Sequence, residues 1–157
     1  MVYDEASLEC EFEECRTFGS VIRFALDLEI TATSFYEQAK NKGIAKGPVS
    51  DIFTSFAKDH AKRKDLLEHT RREKLNEMIL EPISEIDNTK YKPELQLLDR
   101  LDEKNVLNQA IEIEEKAAAF FSDTSVVAKS LLAEVARIFI KMAKENQEKI
   151  SKLKSVQ

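Results

Sequence analysis

Six side chains stand at helical spacing on stripes that are otherwise apolar: Glu29, His60, Arg63, Glu114, Asn146 and Lys149. Two carboxylates and an imidazole can ligate a transition metal, so Glu29, His60 and Glu114 form the candidate set for a residual metal site. Arg63 and Lys149 point to a different chemistry. A guanidinium can grip a carboxylate in a bidentate way, and an ammonium can sit beside a second one. Two carboxylates facing two cations leave the layer near neutral without any metal, so the six residues read as a polar core cluster of buried salt bridges supplemented by His60 and Asn146. No catalytic residue is assigned and no metal is expected.

Four helices are needed to bring these residues to one depth. The first is expected from about Thr17 to Asn41, with Thr17 or Ser20 as cap and Gly43 as stop; its stripe is Ile22, Ala25, Glu29, Ala32, Tyr36 and Ala39. Pro48 and Ser50 open a second helix to about Lys74, with Ile52 or Phe53, Phe56, His60, Arg63 and Leu67 inward. From Leu75 to Asn105 the pattern weakens around Pro82 and Pro93, which predicts a long crossover with a short helix near Glu94 to Leu101. A third helix is expected over about Glu103 to Phe121, with Leu107, Ala110 or Ile111, Glu114, Ala117 or Ala118 and Phe121 inward. A fourth is expected over about Ser125 to Leu153, with Val135, Phe139, Met142, Asn146, Lys149 and Leu153 inward. Two short joints and one long connection predict an all-α fold, a four-helix bundle of two helical hairpins joined by a crossover. The bundle is assigned residues 17–157, preceded by an acidic arm over 1–16.

The two halves resemble each other. ALDLEITATSFYEQ from Ala25 lines up with AIEIEEKAAAFFSD from Ala110, so Glu29 falls on Glu114 and Tyr36 on Phe121. With one residue inserted, DHAKR at 59–63 lies over ENQEK at 145–149. His60 therefore corresponds to Asn146, and Arg63 to Lys149.

The phrases FGSVIRFALDLEITATSFYEQA, FTSFAKDHAKRKDLLEH, ILEPI and AIEIEEKAAAFF resemble the rubrerythrin-related branch of the ferritin-like superfamily over most of the chain, Phe18 to Leu153. That resemblance implies an iron-binding four-helix bundle, peroxide or oxygen chemistry, a cytoplasmic location and frequent dimerisation. The family's lone glutamates on the first and third helices map onto Glu29 and Glu114. Where the family has a Glu-x-x-His pair on each of the other two helices, this chain has His60 with Arg63 and Asn146 with Lys149. Asp59 and Glu145 are each one residue off the inward positions, about 100° around the helix. The expectation is a ferritin-like protein that has lost the di-iron site and serves a scaffold, partner-binding or ligand-binding role. The alternative is an iron-dependent peroxidase or oxidase with an unusual ligand set.

Composition supports the helical reading: 157 residues with three Gly and three Pro, 43% hydrophobic and 34% charged. A formal net charge of −5 argues against nucleic acid. The absence of a long apolar run, with an acidic N-terminus, predicts no membrane span and a cytoplasmic protein. Cys10 and Cys15 are spaced for neither a zinc ribbon nor a shared helix face, and read as ordinary thiols. Exposed apolar residues such as Val126, Val127 and Leu131 suggest a homodimer; no other protein partner follows from the residues.

Overall fold

The computed structural model describes residues 15–74 and 82–157. Four α-helices dominate it: α1 (Phe18–Asn41), α2 (Pro48–Lys74), α3 (Glu103–Leu131) and α4 (Ala133–Ser155). α1 packs along α2, α3 packs along α4, and the hairpins meet chiefly through α1 and α3. α2 and α4 stay further apart, and a cleft opens between them. The described residues therefore form the expected four-helix bundle of two hairpins joined by a crossover.

The helix limits follow from local chemistry. Thr17 caps α1, its hydroxyl accepting from the Ser20 amide at 3.2 Å. Past Asn41 the chain turns through Gly43 at φ +73°, which lets the Ile44 amide return to the Ala39 carbonyl at 3.0 Å. Asp102 caps α3 by accepting from the Asn105 amide at 2.8 Å.

Two expectations need correction. α3 does not stop at Phe121, and α4 does not begin at Ser125: α3 continues ten residues further, and the break falls at Leu132 in an extended conformation. The polar run Ser122–Ser125 looks like a joint, yet its hydroxyls bond back into the helix. Thr124 donates to the Phe120 carbonyl at 2.6 Å and Ser125 to the Ser122 carbonyl at 2.7 Å, which lets a continuous helix carry them. In the crossover, the short helix expected near Glu94 to Leu101 is a single 3-10 turn at Leu98–Arg100, with another at Asn88–Lys90. Eight residues between Pro93 and the cap of α3 are too few to hold an isolated helix without a buried face, and Leu95 and Leu97 are exposed.

The crossover also contributes a strand, β2 (Pro82–Ile86), which pairs antiparallel with β1 (Cys15–Thr17) at the entry to α1. Cys15 thus belongs to a strand at the entry to α1 rather than to a free arm, while residues 1–14 of the acidic arm, Cys10 among them, and ILEPI up to Glu81 lie outside the described residues. Further along, Tyr91 packs edge-on against Phe120 and donates to Asp123 at 2.7 Å, and Lys42 pairs with Asp99 at 2.8 Å. These contacts fasten the crossover to α3 and to the end of α1.

All the predicted stripe residues of the four helices are buried. The apolar core divides into two clusters. One gathers Phe18 to Leu28, Leu67, Phe120, Phe121, Val135, Phe139 and Met142; the other gathers Ala32 to Ala39, Val49 to Ala57, Val106 to Ile113, Ile150 and Leu153. On every helix a polar position lies in the sequence interval between the two clusters.

Candidate functional site

The polar layer is built around His60, which is fully buried between two fully buried carboxylates. Its Nδ1 lies 3.0 Å from Glu29 Oε2 and its Nε2 lies 2.7 Å from Glu114 Oε2. Burial alone would push the imidazole toward neutrality, but the charges of Glu114 and Glu29 and their hydrogen bonds outweigh it and raise its pKa to about 9. At neutral pH His60 is an imidazolium donating from both nitrogens, one to each carboxylate.

Glu114 accepts three hydrogen bonds: from His60, from the Tyr36 hydroxyl at 2.6 Å on Oε2, and from Asn146 Nδ2 at 2.7 Å on Oε1. Burial would raise its pKa, but His60, Tyr36 and the charge of Arg63 together pull it down to about 2. Tyr36 moves the other way: burial and the neighbouring Glu114 hold its hydroxyl protonated well above the ordinary range. Its ring also stacks on His60, with centroids 5.7 Å apart and planes inclined by 15°.

Arg63 meets the other carboxylate. Its Nε lies 2.6 Å from Glu29 Oε1, while Nη2 donates to Asn146 Oδ1 at 2.9 Å and Nη1 reaches the Met142 carbonyl at 3.5 Å. The Nε contact is an ion pair whose N–H direction makes no proper hydrogen bond, so proximity of opposite charge, not donor alignment, carries it. The guanidinium carbon also lies over Phe121, 5.1 Å from the ring centroid. Because Arg63 only donates and Glu114 only accepts, the Asn146 amide has one consistent orientation, and it links the two ion pairs.

Several expectations change here. Arg63 does pair with a carboxylate, but through one nitrogen and not as a bidentate fork, because Asn146 and the Met142 carbonyl occupy its outer edge. Lys149 does not sit beside either core glutamate. Its Nζ pairs with Asp59 at 3.4 Å and lies over Phe56 at 5.4 Å, at the edge of the layer. Lys149 has a long stem and Asp59 is half-exposed, so the ammonium reaches the rim, where less desolvation is demanded of it. His69 is exposed and takes no part.

Tyr36 and Asp59 join the arrangement without having been assigned to it. The signal for Tyr36 was its alignment with Phe121 in the internal repeat: one buried hydroxyl without a counterpart has to find a hydrogen-bond partner. Nothing in the spacing distinguishes Asp59 from other charges flanking the stripe.

The charges close on themselves. Glu29 and Glu114 are matched by His60 and Arg63, and Lys149 by Asp59. A di-iron centre of the kind the resemblance implies does not fit this donor set. Arg63 holds a fixed positive charge against Glu29, and Asn146 and Lys149 stand where a carboxylate and an imidazole would be needed. Among the described residues no group of three or more His, Cys, Asp or Glu side chains is placed to hold a metal ion, and no helix is long and apolar enough to cross a membrane.

No family model, curated protein or solved structure matches the chain.

Proposed function

We infer that this chain is a ferritin-like protein, related to rubrerythrin, in which an internal ion network has taken the place of a di-iron centre, and that its role is binding rather than redox catalysis. One observation carries the reading: the imidazolium of His60 spans Glu29 and Glu114, so the carboxylates that a metal would require are already engaged by a side-chain cation. The repeat-related hairpins and the matched loss of both Glu-x-x-His pairs support the same view. The layer fixes how four helices meet at mid-height, because one histidine must satisfy α1 and α3 together. Homodimerisation in the cytoplasm belongs to this reading, with Val126, 72% exposed, and Ile140, 56% exposed, as apolar surface available to a second copy.

The test is metal analysis of protein produced in iron-supplemented medium, with a visible spectrum of the sample as isolated. Iron far below one equivalent per chain and no di-iron charge-transfer bands are expected. Two irons per chain with such bands would restore the alternative, an iron-dependent peroxidase or oxidase.

A further inference from the structure

The cleft between α2 and α4 has a volume of about 650 Å³, within the roughly 300 to 1,000 Å³ of small-molecule sites. Phe56, Leu66, Ile138 and Met142 give it apolar walls, and Arg63 and Lys149 reach it from the polar layer. Five basic and three acidic side chains border it, and with Arg63 offset by Glu29 one positive charge remains in excess. That excess favours an anion at this face.

Arg63 in the polar layer and Lys149 at its rim both have donor capacity left over. Of the five N–H groups of a guanidinium, Arg63 uses one on Nη2 for Asn146 and one on Nη1 for a long 3.5 Å contact to a carbonyl. Lys149 has three N–H groups, and its ion pair with the half-exposed Asp59 is loose at 3.4 Å. The Arg63 side chain is more than nine-tenths buried and that of Lys149 is nine-tenths buried, so a ligand reaching them leaves water and meets charge that is less screened than at the open surface. Cations at the inner end and apolar walls along the length match a molecule with one anionic head and one apolar tail.

The geometry points to the α2–α4 cleft as a binding site for a small amphiphilic carboxylate, with the head between Arg63 and Lys149 and the tail against Leu66, Ile138 and Met142. This rests on the reading that Arg63 remains in its ion pair and is not displaced by a metal; it adds a ligand class to the binding role.

Calorimetric titration of the whole chain with octanoate tests the site, with 1-octanol and acetate as ligands that lack the head or the tail. Saturable one-to-one binding of octanoate is expected, at least tenfold tighter than either comparison. Lys149→Gln, which removes the rim cation, and Leu66→Glu, which places an anion on an exposed part of the wall, should each weaken it at least tenfold while their thermal melts stay cooperative. No saturable octanoate binding, equal binding of 1-octanol, or unchanged affinity in either variant overturns the proposal. Metal content measured on the same preparation separates the two failures: a stoichiometric iron load sinks the metal-free reading, while iron-free protein that ignores octanoate sinks this site alone.

Discussion

His60 touches Glu29 and Glu114 at 3.0 and 2.7 Å, and that pairing ties the protein's stability to pH at both ends. A histidine whose pKa rises from 6.5 to about 9 on folding contributes stability that is complete below pH 6.5 and is lost as pH climbs through 9. Glu114, lowered from 4.5 to about 2, contributes stability that is complete above pH 4.5 and is lost as pH falls through 2. Urea midpoints should therefore be highest between about pH 4.5 and 6.5 and should fall on either side; the alkaline limb amounts to roughly 3 kcal/mol at most. Both limbs express one attraction seen from its two ends, so their sizes do not add. Replacing His60 with Gln should flatten the alkaline limb. Glu114→Ala removes the acceptor of Tyr36, His60 and Asn146 together, and should cost about 3 to 5 kcal/mol in the same denaturation experiment. A loss under about 1 kcal/mol would mean that the layer is wetter than its burial indicates.

At the scale of elements, the limits of α1 and the start of α2 were legible because each carries chemical punctuation: a Thr17 cap, a Gly43 stop at positive φ and Pro48 at the next start. Thr17→Ala should lower stability by about 1 kcal/mol, read from the thermal midpoint. The α3–α4 joint was misplaced for the complementary reason. Ser122 to Ser125 carries the side chains of a cap, while the actual break at Leu132 carries none, and whether a hydroxyl caps a helix or bonds back into it depends on where the chain is needed. Burial was legible from the 3-4 spacing of every stripe, including its polar members. Pairing was not, because spacing gives the depth and face of a side chain but not how far it reaches. Lys149 shows the difference: it lies on the predicted stripe, yet it spends its charge on Asp59. The strand Pro82–Ile86 was illegible for a related reason, since five residues beside a proline form a ribbon only where β1 lies ready to pair with them.

For the molecule as a whole, two apolar clusters flank a charged layer whose internal signs cancel. Such a layer adds little net stability over an apolar one, since desolvating each ion costs several kcal/mol, but it makes any arrangement that separates its members expensive. In the proposed reading the layer fixes one packing of the two hairpins, and its composition should determine whether metal binds. Changing His60→Glu, Arg63→His, Asn146→Glu and Lys149→His together installs a Glu-x-x-His pair on α2 and on α4, and should give a variant that retains more iron through gel filtration than the natural chain. The central claim, that a side-chain cation stands between Glu29 and Glu114, is tested most directly by the nitrogen-15 spectrum of His60 in the intact protein, with His69→Gln leaving a single histidine signal. Both ring nitrogens should be protonated at pH 7 and should titrate together near pH 9. A neutral ring at pH 7, titrating at or below 6.5, would contradict the account.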